Sequence, residues 1–165
     1  MQQDKTTLDR IELLHPAVME EAKAIYAEIC ERLTGRAQCR FSHTLRTFAE
    51  QDALYAQNPK ISNAKGGQSW HNYGLAIDVV LLLNDGKVAS WDTVTDFDGD
   101  GLSDWQEIVF VFGLYGWEWG GNWKNFPDKP HFQKTFGLTI SEALSRHNSG
   151  QVISGTNYIK LPLAA

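Results

Sequence analysis

The sequence has no cluster of basic residues. Its 15 Lys and Arg are scattered among 20 Asp and Glu, for a net charge of -5, so neither nucleic acid nor an anionic membrane surface is expected as a main partner. No apolar run exceeds the length of Val79–Leu83, far short of a bilayer span, and no stable membrane association is expected. The amino terminus lacks a basic stretch leading into an apolar one; we therefore expect synthesis in the cytoplasm without a signal peptide. Two cysteines, Cys30 and Cys39, cannot build a disulfide scaffold and are expected to stay reduced and structural. Proline (5) and glycine (14) among 165 residues exclude collagen-like and low-complexity chains.

What is present is a globular composition, 42% hydrophobic and 12% aromatic. That suits one core and a single domain over residues 1–165, expected as a monomer. Apolar residues at Val18, Ala22, Ile25, Ile29 and Leu33 predict a helix over 17–33 ended by Gly35. Residues 38–44 read as a strand, and Thr47-x-x-Glu50 is a capping box opening a helix to about Gln57, with Phe48, Leu54 and Tyr55 facing inward. A small, polar loop (63–69) leads to a buried strand over 75–83. Asn84-Asp85-Gly86 then turns the chain into a strand over 87–91. Helices are predicted over 104–115 and 141–147, and the last fifteen residues read as extended. With no internal repeats, the fold class is α+β.

Chemistry concentrates in two places. Ser69-Trp-His71-Asn-Tyr-Gly74-Leu-Ala76-Ile-Asp78 sets an imidazole and a carboxylate seven residues apart. On one straight strand these would point to opposite faces, so the Asn72–Gly74 step must turn for them to converge. Asp78 also interrupts the apolar row Ile77, Val79, Val80, Leu81, where an unpaired charge is costly and a metal ion would remove the cost. Asp128-Lys-Pro130-His131 supplies a second imidazole and another carboxylate, with Pro127-Asp128 placed at the centre of a turn. His71, Asp78 and His131 make a three-ligand zinc set that leaves a fourth tetrahedral position open, as catalytic zinc requires. Asp128 is then free to act as general base and acid. Glu118, among Trp117, Trp119 and Gly120, competes for the base role or supports the site from behind.

The string Ser69-x-His71-x-x-Gly74-x-Ala76-x-Asp78 with Asp128-x-x-His131 resembles the zinc peptidases that include D-alanyl-D-alanine carboxypeptidases and L-alanyl-D-glutamate endopeptidases, whose fold is shared with the hedgehog signalling domain. The resemblance runs from about Leu8 to Phe136 and is strongest toward phage endolysins and related bacterial cell-wall peptidases, through residues 45–55 and 118–123. It implies a small antiparallel sheet flanked by helices, with zinc on His71, Asp78 and His131. It further implies Asp128 as catalytic acid/base and Arg46 as the cation that polarises the scissile carbonyl; one branch of the family carries Glu where this chain has Asp128. A guanidinium held at the start of a capped helix suits that task. The implied partner is the stem peptide of bacterial peptidoglycan, and the implied bond joins L-alanine to D-glutamate, with a D-alanyl-D-alanine bond as the alternative. An endolysin-like enzyme would act on the cell wall after release. Ser69 either binds a polar substrate group or fixes its loop. Trp70, Trp119 and Trp123 form a surface for peptide, sugar or packing. A non-catalytic peptidoglycan-binding module stabilised by metal is the reading of another class, and it has no use for Arg46 and Asp128 together.

A second motif is independent of the first. Asp96-x-Asp98-x-Asp100-Gly101-Leu102-x-Asp104-x-x-Glu107 matches the twelve-residue EF-hand loop at every ligand position, with the Leu102 carbonyl seventh, and predicts bound calcium in a structural or regulatory role. Ser103 stands where paired EF-hands carry an apolar residue, and the chain has no second loop. A calcium sensor would need a paired hand and an apolar groove, and neither is evident.

Overall fold

The computed structural model describes residues 3–162. Ten regular elements run in the order α1 (Lys5–Ile11), α2 (Pro16–Arg32), β1 (Gln38–His43), α3 (Phe48–Tyr55), β2 (Ala76–Leu83), β3 (Val88–Ser90), α4 (Asp104–Leu114), β4 (Glu118–Trp119), β5 (His131–Gln133) and α5 (Ile140–Asn148). The strands form one antiparallel sheet ordered β1-β2-β5-β4, with β3 also pairing β2. None of the described helices is long and apolar enough to cross a membrane. Both cysteines are free, Cys39 buried and Cys30 half-buried.

Helix α2 packs as its periodicity predicts. Val18, Ala22, Ile25, Tyr26 and Ile29 are buried, Val18, Ile25 and Ile29 each contributing about 1.5–3 kcal/mol of transfer free energy. The other side of the core is aromatic: Phe112 of α4 stacks on Phe132 of β5 at 4.0 Å and also meets Phe41 and Trp117. That column sets α4 against the sheet and leaves the opposite sheet face for polar side chains.

One element was not foreseen and three expectations need correction. Helix α1 was not foreseen; seven residues offer too short an apolar pattern, and Asp4 caps it through the Thr7 amide. Gly35 does not end α2, whose cap is Leu33; a Cβ at Gly35 would lie 2.5 Å from the Asp98 Cβ, so glycine here permits close approach to the acidic loop. In α3 the buried side chain is Gln51, while Phe48, Leu54 and Tyr55 are only half-buried. The C-terminal stretch is not simply extended: it folds back on itself through a bridge between Val152 and Ile159, and residues 163–165 lie outside those described.

His15 ties three segments together. Its Nδ1 accepts from the Ala17 amide as the N-cap of α2, its Nε2–H donates to the Ile159 carbonyl, and its own amide donates to Gly74 O. Burial lowers its pKa, the Ile159 bond opposing only in part. Protonation would put a hydrogen on the nitrogen that must accept from Ala17. As pH falls below about 6.5 the unfolded chain therefore takes up the proton first, and stability drops. His15→Asn keeps a capping oxygen without a titrating group. Urea unfolding at pH 7.5 and 5.5 should show the wild-type advantage over the variant narrowing at the lower pH; a constant gap would refute the assignment.

Candidate active site

The site is written into the register of the sheet. Asp78 of β2 stands directly opposite His131 of β5, and residues paired across antiparallel strands project from the same face. Within β5, Phe132 turns to the core while His131 and Gln133 turn to the site, as period-two alternation requires. Glu118 of β4 is opposite Gln133, which brings it to this face as well.

His71 reaches the same point by a different route. Residues Trp70–Tyr73 form a single 3-10 turn capped by Ser69, whose side chain takes the His71 amide while the Asn72 side chain returns to the Ser69 amide. Gly74 ends the turn at φ 67°, and a Cβ there would meet the His15 nitrogen at 2.6 Å. The turn expected at Asn72–Gly74 is present, and it swings His71 back over Asp78. The second turn is displaced from its expected place: Asp128 O accepts from the His131 amide, which makes Lys129-Pro130 its centre in place of Pro127-Asp128. It is clamped by the Asp128 amide on Gly120 O and by the Trp119 indole on Lys129 O.

His71 Nε2 and His131 Nδ1 each lie 3.1 Å from Asp78 Oδ1, close to the roughly 3.3 Å expected between donors about 2.0–2.1 Å from one tetrahedral zinc. The far nitrogen of each ring is occupied, His71 Nδ1 by the Thr44 carbonyl at 2.7 Å and His131 Nε2 by Gln133 Oε1 at 2.8 Å. Both rings thus present an acceptor nitrogen to the shared point, the arrangement a metal-binding imidazole needs. Burial would raise the Asp78 carboxyl, but the two imidazoles outweigh it and hold the group well below the ordinary carboxylate range. Burial likewise works against charge on His131, and Asp78 outweighs it and raises the imidazole. The cluster is arranged for a positive charge at its centre, and the three residues fit a divalent ion.

A cleft of about 530 Å³ opens over these groups, a size suited to part of a peptide. Arg46, Ser69, His71, Asp78, Asp128 and His131 all line it, with Ile61, Ser62, Ala64 and Gln68 on one wall and Trp123 on another. Asp128 has its carboxyl raised by desolvation and by the Asp78 charge. Arg46 sends Nη1 to Gln51 Oε1 at 3.0 Å and places Nη2 4.0 Å from Asp78 Oδ2. Gln51, fully buried, donates in turn to Ser62 Oγ and Ala64 O, so the guanidinium and one wall of the cleft share a single buried amide. Glu118 does not line the cleft: one oxygen accepts from the Trp123 indole at 2.6 Å and the other from Gln133 Nε2 at 3.2 Å. Its carboxylate is thus turned to Trp123 and Gln133 and away from the cleft. Of the three tryptophans, Trp70 and Trp123 line the cleft, and Trp119 serves the turn. Sequence reasoning missed Gln51 and Gln133, because a glutamine carries no chemical signature until its partners are known. His43 stands opposite Asp78 on β1 across a bulge, Nδ1 4.0 Å from Oδ2.

The acidic loop forms a separate centre. Asp96, Asp98 and Asp104 bring carboxylate oxygens within 4.8 Å of one another, as do Asp98, Asp100 and Glu107. Asp104 and Glu107 are buried, and Asp104 Oδ2 and Glu107 Oε2 have no hydrogen-bond partner among the described residues. Burial, then repulsion from Asp100, Asp98 and Asp104, pushes Glu107 up to about 7. Leu102 is exposed at the loop's outer edge. Thr34 anchors the loop through its amide and hydroxyl, both 3.1 Å from Asp98 Oδ2.

Comparison with known proteins agrees with this geometry. The family model for D-alanyl-D-alanine carboxypeptidase matches residues 62–134, the span that holds all three candidate ligands and Asp128. The peptidoglycan L-alanyl-D-glutamate endopeptidase CwlK of Bacillus subtilis (strain 168) is 40% identical over 125 residues, 73% of this chain and 72% of CwlK. The L-alanyl-D-glutamate peptidase of Listeria phage A118 is 31% identical over 124 residues, which are 73% of this chain but 40% of the phage protein. The crystal structure of the L-Ala D-Glu endopeptidase ChiX of Serratia marcescens superposes with a TM-score of 0.56 at 23% identity, covering 82% of this chain and 91% of that one, and shows that the fold is shared. At 40% identity over nearly three quarters of each chain, the likeness to CwlK shows that the chain belongs to the same zinc-dependent family of peptidoglycan peptidases, the one whose model is described as D-alanyl-D-alanine carboxypeptidase.

Proposed function

We propose that this enzyme hydrolyses the amide bond between L-alanine and D-glutamate in the stem peptide of bacterial peptidoglycan. The observation that carries the reading is the convergence of His71 Nε2, Asp78 Oδ1 and His131 Nδ1 in a cleft also lined by Asp128 and Arg46. The choice of bond is supported by the two curated relatives, each named for that peptide.

His71, Asp78 and His131 would hold the zinc, which when bound supplies Lewis acidity and a water acidic enough to deprotonate near neutral pH. Asp128 takes the proton of the attacking water and returns it to the leaving amine, the two halves of general acid–base catalysis. Its raised pKa favours the second transfer. Arg46 has one amino group committed to Gln51, which orients the guanidinium so that its remaining N–H donors meet the developing oxyanion. Ser69 holds the His71 turn, a structural task its hydroxyl already performs.

Mass spectrometry of fragments released from purified peptidoglycan identifies the bond: we expect new carboxyl-terminal L-alanine and amino-terminal D-glutamate. Release of D-alanine would transfer the enzyme to the carboxypeptidase activity named by the family model. His71→Ala, Asp78→Ala and His131→Ala should each lose bound zinc and hydrolysis together. Asp128→Asn should keep zinc while turnover falls by about two to four orders of magnitude; near-normal turnover would remove the residue from the proton path.

The loop Asp96–Glu107 is read as a calcium site. Asp96, Asp98, Asp100, Asp104 and Glu107 with the Leu102 carbonyl supply the ligand set, and the two unpartnered buried oxygens are the structural support. Calcium would relieve the repulsion that now raises Glu107. The loop caps α4, which packs against α2 and β4, and Ser103 and Lys129 both reach Thr93, so order in the loop bears on the Asp128–His131 turn. Calcium added to metal-stripped, zinc-reconstituted enzyme should raise the melting temperature and the rate of wall lysis. Asp96→Ala or Glu107→Ala should abolish the response with zinc retained. No shift at millimolar calcium would reduce the loop to an acidic surface.

A further inference from the structure

The polar face of the sheet carries a chain of hydrogen bonds whose direction is set by a carboxylate just outside the cleft lining. Trp123 Nε1 donates to Glu118 Oε1, Gln133 Nε2 donates to Glu118 Oε2, and Gln133 Oε1 receives His131 Nε2. The strand pairing of Glu118 with Gln133, and the i, i+2 relation of Gln133 to His131, place the three in line. We propose that Glu118 is a positioning residue that sets the tautomer of His131 through Gln133, and so decides which imidazole nitrogen is offered to the metal; this rests on the zinc reading given above.

The argument is one of donor and acceptor polarity. A carboxylate only accepts. Gln133 must therefore turn its NH2 toward Glu118 and its carbonyl oxygen toward His131. A carbonyl oxygen also only accepts, so His131 carries its proton on Nε2 and leaves the Nδ1 lone pair facing Asp78 Oδ1 and the shared point. Gln133 is 8% exposed at the edge of the cleft, and both ends of its amide are taken by Glu118 and His131. The Trp123 indole, a donor only, completes the carboxylate's partners and, with its ring 5.4 Å from that of His131, covers the relay from the cleft side.

Reversing one member should reverse the chain. In Glu118→Gln the new amide gives its oxygen to the Trp123 indole and its NH2 to position 133. Gln133 must then flip, present its own NH2 to His131 Nε2, and force the proton onto Nδ1, the nitrogen the metal needs. The swapped pair Glu118→Gln/Gln133→Glu restores the original direction, because a carboxylate at 133 accepts from both neighbours.

Zinc affinity measured by chelator competition separates these states without reference to turnover. Glu118→Gln should bind zinc about 10–100-fold more weakly than wild type, and the swapped pair should return close to wild type; a loss caused only by disturbed packing would not be rescued by the swap. Long-range 1H–15N spectra of the zinc-loaded wild type should show His131 protonated at Nε2 and metallated at Nδ1, and these carry the test with the swapped pair should Glu118→Gln not fold. Metal on Nε2, equal affinity in Glu118→Gln, or a swapped pair no better than the single variant would each overturn the relay. Wild-type protein that takes up no zinc would instead overturn the metal reading.

Discussion

Asp78 is the constraint around which the molecule is arranged. A carboxylate on the central strand of a small sheet, flanked by the fully buried Ile77 and Val79, is costly to bury unless charge or hydrogen bonds compensate. Each surrounding feature answers that cost. Antiparallel pairing sets His131 opposite, a capped 3-10 turn swings His71 over it, and Arg46 and His43 stand at 4.0 Å on the far oxygen. The dipoles that hold these partners come from backbone carbonyls and buried glutamines rather than solvent, so the electrostatics are set before any substrate arrives.

Much of this was legible in the sequence, in proportion to how local the signal is. The helix over 17–33, the capping box at Thr47 and the strand ending at Asn84-Asp85-Gly86 all rest on neighbours within a few positions, and the structure places them within a residue or two. The convergence of His71, Asp78 and His131, with Asp128 beside them in the cleft, was legible because the resemblance covered these residues as a set. What was not legible depends on distant contacts. Gly35 reads as a helix stop until Asp98 is seen against it, and Pro127-Asp128 reads as a turn centre until the His131 amide is found on Asp128 O. Gln51 and Gln133, to which the sequence assigns no task, prove to be buried adaptors, Gln51 between Arg46 and the cleft wall and Gln133 between His131 and Glu118.

Those two glutamines solve the same physical problem on opposite sides of the cleft. An amide is neutral and offers both donors and an acceptor in a fixed plane, so it can translate the demand of one group into an orientation of another. Gln51 accepts from Arg46 and donates to the wall at Ser62 and Ala64; Gln133 accepts from His131 and donates to Glu118.

The division between sheet and loops then indicates where selectivity for substrate can reside. Asp78 and His131 sit on paired strands, and a one-residue slip of β5 would turn His131 to the core and Phe132 to the cleft, so this part of the site admits no gradual change. The wall formed by Ile61, Ser62, Ala64 and Gln68 belongs to an irregular segment tied to the core through Gln51 and through Asn72, which holds the Gly67 amide. Its side chains can vary while those two anchors keep the backbone in place. The groups gathered around Asp78 are therefore held by strand register and a capped turn, whereas the segment between α3 and the His71 turn, and Trp123 across the cleft, are held in place by anchors outside the sheet.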